Sequence, residues 1–284
     1  MSRPAPSAEA LPRFLTRLDA AAAGRWEERP TPGPDLPDWF VQLTGALWDG
    51  QDGRSDQADQ NGHNGQSGQS GQSGQNGQGP AAAAEWARRV HDACARLDGR
   101  IPLTAVHDWH ARTVVPLLAG PDEAGPYEDV RALHARAAAG EPAAEDAWAA
   151  ALEPVLRDVH RRAYPYADAF ATSASNALAW ARTNDYGEAE AREFADGYAR
   201  LNTGANVTSY ADANAIVQAR ALAAAYAAAD PAAYAACYPF AAVNAYALAL
   251  AGQDTADGRE ERRRAACGRL AAGLAESLER AAGA

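Results

Sequence analysis

The sequence contains no lysine. Each of its 26 basic residues is an arginine, and Met1 is its only methionine. A Schiff-base mechanism, a lysine general base and the lysine of a phosphate-binding P-loop are therefore excluded. The abundance of alanine, arginine, glycine and proline is typical of a GC-rich coding sequence. This bias alone suggests a role in bacterial specialised metabolism.

Cysteine is also scarce. Cys94, Cys237 and Cys267 form an odd, widely spaced set with no CxxC motif. This pattern favours neither a disulfide framework nor a zinc ribbon or finger. The sequence also lacks the GxSxG, HExxH, GxGxxG and P-loop motifs of common enzyme families. We therefore expect no cofactor and no metal.

Positive charge is in the minority, and the net charge is −11 at pH 7. An acidic chain is not attracted by bulk electrostatics to nucleic acid or to anionic membranes. No uninterrupted apolar run reaches the roughly 18 residues of a membrane span. The first ten residues lack the basic and apolar regions of a signal peptide. We expect a cytoplasmic protein that binds neither nucleic acid nor membrane.

Hydrophobic residues make up 47% of the chain, and alanine supplies much of that fraction. Because alanine buries little area, the core must depend on larger side chains, among them seven Trp, ten Tyr and five Phe. Apolar residues recur at helical spacing from Ala81 onward, and no segment alternates as a strand does. The sequence predicts an all-α fold, a multi-helix bundle or short α-solenoid of roughly eight to ten helices.

Four regions are predicted along the chain. Residues 1–48 hold N-terminal helices that dock on the body, the first at 8–23. Residues 49–80 form a disordered loop, because their Gln/Gly/Ser-rich tripeptide repeat has no apolar residue to bury. Residues 81–140 form a helical subdomain, in which Pro116 is expected to kink or end a helix. Residues 141–284 form an alanine-rich helical domain.

In the alanine-rich domain the predicted helices are 143–164, 166–183, 188–201, 209–229, 231–251 and 257–281. The polar segment 202–209 is interpreted as a turn that caps the 209–229 helix. An aromatic–Ala–x–x–(Phe/Tyr/Asn)–Ala pattern occurs at Tyr166–Ala171, Phe194–Ala199, Tyr210–Ala215 and Phe240–Ala245. It indicates either stacked helical hairpins or a chance result of the alanine bias.

The 209–229 helix carries the candidate site. It is apolar nearly all round, yet its first half is polar, and free N–H groups at a helix start favour an anion. The ligand-binding candidates are Asn206, Asp212, Asn214, Gln218, Arg220 and Asn244. The catalytic candidates are Asp168, Tyr210 and Asp212, because burial on an apolar helix raises a carboxyl pKa toward the acid–base range. Alternatively, neighbouring loops or solvent satisfy these groups.

His107 and His110 form the only histidine cluster in the sequence. Two histidines three residues apart on a helix can share a metal ion. A third ligand would have to come from His91, His134 or His160, and none of these has di-iron bundle spacing. We interpret the pair as a core or surface feature without a metal.

Two functions remain open. The first is a helical binding or accessory protein that recognises a peptide, a protein or a small ligand. The alternative is an enzyme of an unfamiliar all-α family, with Asp, Asn, Arg and Tyr side chains in a pocket near the start of the 209–229 helix.

Overall fold

The computed structural model describes residues 36–52, 78–97, 99–120, 125–164, 166–252 and 258–283. Every regular element in this part of the chain is helical, which confirms the predicted all-α class. The predicted 8–23 helix lies outside the described residues, as does the 53–77 part of the predicted loop. None of the described helices combines the length and the hydropathy that crossing a bilayer requires.

Ten helices lie in the described residues. They are α1 (Asp38–Asp52), α2 (Gln78–Arg96), α3 (104–119), α4 (Pro126–Ala138), α5 (Glu145–Ala163), α6 (Tyr166–Thr183), α7 (Glu188–Ala227), α8 (Pro231–Ala236), α9 (Pro239–Ala251) and α10 (Arg259–Gly283). Helix α3 consists of α-helical Thr104–Trp109, a π-helical turn His110–Val114 and α-helical Val115–Ala119.

Pro116 does not end α3, because the π-helical turn comes just before it. A proline inside a helix removes one N–H donor and crowds the carbonyl four residues earlier. A π turn shifts the hydrogen bonding to residues five apart. Pro116 then lies in the first turn of the new α-helical segment, where its missing N–H costs nothing.

The predicted loop at 49–80 is too long at both ends. Helix α1 continues to Asp52, and α2 begins at Gln78. The last turn of α1 is held by packing on α10. A Cβ added at Gly50 would lie 2.3 Å from the Cys267 Sγ, so the two helices are in close contact there. This contact is between distant parts of the sequence, and composition alone did not indicate it.

The predicted turn at 202–209 is wrong. Residues 188–227 form one helix of 40 residues, about 60 Å long. Thr203, inside the predicted turn, is buried, as are Ala199 before it and Ala211 after it. Packing of this small-residue face outweighs the weak helix propensity of Gly204 and its polar neighbours. Ser209 therefore caps no helix, and the predicted anion site at free N–H groups does not exist.

The predicted single helix at 231–251 is also wrong, because Tyr238 separates α8 from α9. Tyr238 has a left-handed backbone with φ +54°, and Pro239 follows it. A residue before proline is driven out of the right-handed helical region. Asp230 caps α8, and its carboxylate accepts hydrogen bonds from the N–H groups of Ala232 and Ala233 at 2.8 and 3.2 Å.

Helix α10 packs against α1, α2, α3 and α9. Its buried face includes Leu270, Leu274 and Leu278. Two tryptophan indoles donate hydrogen bonds to its backbone, Trp86 to the Ala271 carbonyl at 2.7 Å and Trp109 to the Leu270 carbonyl at 2.9 Å. Helices from both sides of the predicted division at Gly140 contribute to this single core.

Candidate functional site

Two predicted ligand-binding residues, Asp212 and Gln218, face α5. The Asp212 carboxylate lies 3.0 Å from both Arg157 Nε and Arg161 Nη2. The His160 Nε2–H donates to Gln218 Oε1 at 2.9 Å. The structure therefore brings these two candidates to one interface, where they join polar side chains of another helix. Arg157 also pairs with Glu153 of its own helix, so two guanidinium groups and two carboxylates form an ion-pair network at this interface.

The other candidates do not converge on that interface. The Asn214 side-chain amide donates to the Tyr210 carbonyl one turn earlier in α7. The Tyr210 ring is exposed and meets Tyr164 edge-on. Arg220 is exposed, and Asn244 is half-buried on α9. The side chains of two further candidates, Asp168 and Asn206, lie outside the described residues.

We predict that Asp212→Asn lowers the free energy of unfolding by no more than about 1 kcal/mol, because the ion pairs of Asp212 are partly exposed and solvent screens them. Urea denaturation followed by circular dichroism measures the change. High salt should reduce the difference between the variant and the wild-type protein. A loss several times larger, insensitive to salt, would contradict this description of the interface.

The histidine pair of the sequence belongs to a buried cluster of three. His107 and His110 on α3 meet His134 on α4 in the core. The His107 and His134 Nδ1 atoms are 3.0 Å apart, so one ring donates its proton to the other. The His110 ring stacks on that of His134, with centroids 4.5 Å apart. His110 Nδ1 donates to the Val106 carbonyl at 2.9 Å.

Aromatic side chains from three further helices enclose this cluster. Trp148 of α5 stacks on His107, and Tyr226 of α7 meets both His107 and His134. Tyr246 of α9 approaches His110 edge-on. Each of these rings is at least nine-tenths buried. The cluster thereby connects α3, α4, α5, α7 and α9.

Burial keeps the three histidines neutral. Desolvation lowers the pKa of His107 to about 3 and that of His110 to about 4. Burial also holds the pKa of His134 well below its ordinary value, and the neighbouring imidazoles lower it further. Within the described residues, no three His, Cys, Asp or Glu side chains are arranged to hold a metal ion. The cluster is a polar network inside the core.

A second feature is a two-helix arm, formed by α6 and residues 188–208 of α7. The two helices are antiparallel and joined by the short connection 184–187. The ring contacts of α7 with Trp148 of α5 and with Tyr164 just after α5 are made by Tyr226 and Tyr210, on the C-terminal side of the arm. Among the described helices, α7 is the one extensive packing partner of α6. The seam between the two is made of small side chains such as Ala177, Ala181 and Ala195.

The outer side of the arm carries a group of exposed aromatic rings. Trp180 of α6 is 52% exposed, and Tyr198 of α7 is 47% exposed. The Phe194 ring lies between them, with its centroid 5.3 Å from that of Trp180 and 6.1 Å from that of Tyr198. Tyr186 in the connection completes the group, 5.6 Å from Phe194. Such rings bury more area than other side chains when a partner covers them.

Comparison with protein-family models, curated proteins and solved structures finds no match for this chain.

The aromatic rings of α7 belong to a longer surface, which we call the arm stripe. Its members follow heptad spacing, carry no charge and include Leu201, whose side chain is 84% exposed. Apart from half-buried Phe194, all of them are exposed. The stripe consists of Phe194, Gly197, Tyr198, Leu201, Gly204, Ala205 and Thr208.

Sequence reasoning missed the arm stripe because the predicted helix boundary at 201 divides it. The aromatic–Ala pattern at Phe194–Ala199 marked part of the stripe, but was considered only as a possible repeat. Continuing the helix through Gly204 would have placed Phe194, Leu201 and Thr208 on one face, seven residues apart.

Proposed function

We propose that this protein is a helical binding protein that holds an α-helix of a protein partner against the arm stripe. The observation that carries the proposal is the exposure of Leu201 on an arm that also carries the exposed rings of Tyr198 and Trp180. Single exposed apolar residues are common, but a continuous apolar surface on a monomer marks an interaction site. Exposed aromatic residues are typical of the centres of protein interfaces.

The spacing of the arm stripe favours a helix as the bound element. Its members recur every three or four residues, the pattern of a surface that packs against another helix. Gly197 and Gly204 have no side chain to hold the partner away, and a Cβ added at Gly197 would meet nothing within 4 Å. A helix can therefore approach the backbone of α7 closely at two places.

The contacts support a binding protein better than the alternative enzyme. Asp212 is held by two guanidinium groups, and Arg220 is exposed and does not join it. The buried histidines are enclosed by aromatic rings and kept neutral. The arm stripe, in contrast, lies on the outside of the molecule, where a macromolecule can reach it.

Photocrosslinking in cells tests the proposal. The crosslinking residue p-benzoylphenylalanine is placed at Leu201, and at Val217 as the control. Val217 is 69% exposed on the same helix but lies about 160° around it, at about 100° per residue. We expect a discrete crosslinked protein from position 201 and none from position 217. Equal adducts at both positions, or none at position 201, would overturn the proposal.

A further inference from the structure

We infer that the helix covering the arm stripe belongs to a second copy of this chain, an inference that rests on the proposed function. The arm stripe is complementary to itself when two copies of α7 lie antiparallel with Leu201 at the two-fold axis. Such an isologous interface uses the same patch on both copies and closes on itself. Two arms paired in this way form a four-helix bundle.

Side-chain size supports this register. The bulky members of the stripe, Phe194 and Tyr198, precede Leu201, and every small member except Gly197 follows it. With Leu201 of one copy against Leu201 of the other, Phe194 comes opposite Thr208 of the second copy. Tyr198 comes opposite Gly204 and Ala205 of the second copy. Each large ring therefore faces a position with room for it, and the two-fold axis repeats the fit.

Charge supports the same register. Glu190 continues the stripe at its N-terminal end and is exposed, while Asp212 continues it at the other end. Arg157 and Arg161 of α5 lie beside Asp212, and half of the Arg161 side chain is exposed. In the antiparallel pair, Glu190 of one copy comes to the level of Asp212 of the other. Its carboxylate then faces the half-exposed guanidinium of Arg161, while Arg157 is shared between Asp212 and Glu153.

Like charges near the centre of the pair are already compensated. Arg200 is next to Leu201 and forms an ion pair with Asp196 of its own helix.

The stripe from Phe194 to Thr208 is about 21 Å long at 1.5 Å per residue. An interface of this length lies at the small end of specific interfaces. The expected dimer therefore dissociates on dilution, with a Kd on the order of micromolar.

Sedimentation velocity on the full chain, from about 1 to 200 µM, tests the inference across the expected Kd. We expect the mass to rise from that of a monomer to that of a dimer. Leu201→Glu should keep the protein monomeric over the whole range, and the matched control Val217→Glu should still dimerise. Circular dichroism establishes that both variants are folded. A protein that stays monomeric at the highest concentration would overturn the inference.

A charge exchange tests the register. Glu190→Arg and Arg161→Glu should each raise the Kd about tenfold or more, as expected when an interfacial charge pair is broken. The double variant should restore much of the lost affinity, because the exchange again places opposite charges at positions 190 and 161 of the two copies. If the loss of dimer affinity in the double variant equals the sum of the losses in the two single variants, this pairing is excluded.

The photocrosslinking result separates the two proposals. An adduct at position 201 with the mass of a dimer supports both. An adduct with a different protein, from a chain that sediments as a monomer, would overturn the self-association while the binding function stands. A monomer without any adduct at position 201 would overturn both.

Discussion

Gly273→Ala is expected to lower the free energy of unfolding by about 2–3 kcal/mol, the cost of overpacking a filled core. Gly273 lies on the buried face of α10, against the π-helical turn of α3. A Cβ at this position would lie 2.2 Å from Thr113 Oγ1, 2.3 Å from Cγ2 and 2.6 Å from Cβ. Rotation of the Thr113 side chain does not move its Cβ, so α3 and α10 would have to separate.

Gly268→Ala is the matched control for this change. Gly268 lies in the same helix, and a Cβ added there would meet nothing within 4 Å. The higher helix propensity of alanine should therefore stabilise the protein by up to about 1 kcal/mol. Urea denaturation of both variants gives the two changes. If the two substitutions shift stability in the same direction, the close contact between α10 and the π-helical turn is incorrect.

Removing the other partner should relieve the clash. Thr113→Ala in the Gly273→Ala background takes away the two atoms nearest the new methyl group. We expect the double variant to recover part of the stability lost in Gly273→Ala, since the Cβ that remains at position 113 still limits the space. A strictly additive double variant would indicate that Gly273→Ala acts through the backbone of α10 instead.

Acid is expected to destabilise the protein from about pH 6.5 downward, because the buried histidines stay neutral in the fold. Their folded-state pKa values lie below those of the unfolded chain, so the unfolded state binds more protons. Stability is then fully present above pH 6.5 and is lost as the pH falls toward the folded-state pKa values. For His110, a pKa lowered to about 4 corresponds to about 3 kcal/mol.

The three histidines act together, so the effect is large. Once the pH is below 6, each contributes up to about 1.4 kcal/mol per pH unit, or roughly 4 kcal/mol for the cluster. A typical domain has about 5–15 kcal/mol in total, so we expect unfolding between about pH 5.5 and 4. Urea denaturation at intervals from pH 7.5 to 5 measures the slope. His110→Phe should reduce it by about one third.

A stability that is constant between pH 7.5 and 5 would contradict the buried, neutral state of the cluster. The carboxylates give a separate contribution at lower pH. Burial raises the pKa of Asp108, but this effect is outweighed by hydrogen bonds from Arg280, Ser277 and Arg112, which lower the pKa. The stability that the ionised Asp108 contributes is therefore lost only as its carboxylate takes up a proton. Measurements above pH 5 therefore report mainly on the histidines.

The sequence predicted those features that depend on local patterns. Apolar spacing in segments such as 166–183 and 257–281 was enough to indicate helices. The features that it did not predict depend on contacts between distant residues. His134 joins His107 and His110 only because α4 packs on α3, and no spacing rule connects them. Packing of the Thr203 face likewise continues α7 through a segment rich in turn-forming residues.

For the candidate site, the sequence marked individual polar residues but not their partners. The pattern of the 209–229 segment marked Asp212 and Gln218 as polar groups on an otherwise apolar helix, and both do meet polar side chains of α5. The sequence did not indicate that α6 packs against the first half of α7, because the seam between these two helices consists of alanines. An alanine-biased sequence has alanines on every helix face, so a seam of this kind carries little signal.

Cysteine labelling tests most directly the central claim that a partner covers the arm stripe. Leu201→Cys and Val217→Cys are each introduced, with Cys237, which is half-buried, replaced by serine. In dilute purified protein, a maleimide should label both positions at similar rates. In cells that make the protein at its natural level, position 201 should be labelled at least tenfold more slowly than position 217. Equal rates in the cell would contradict the claim.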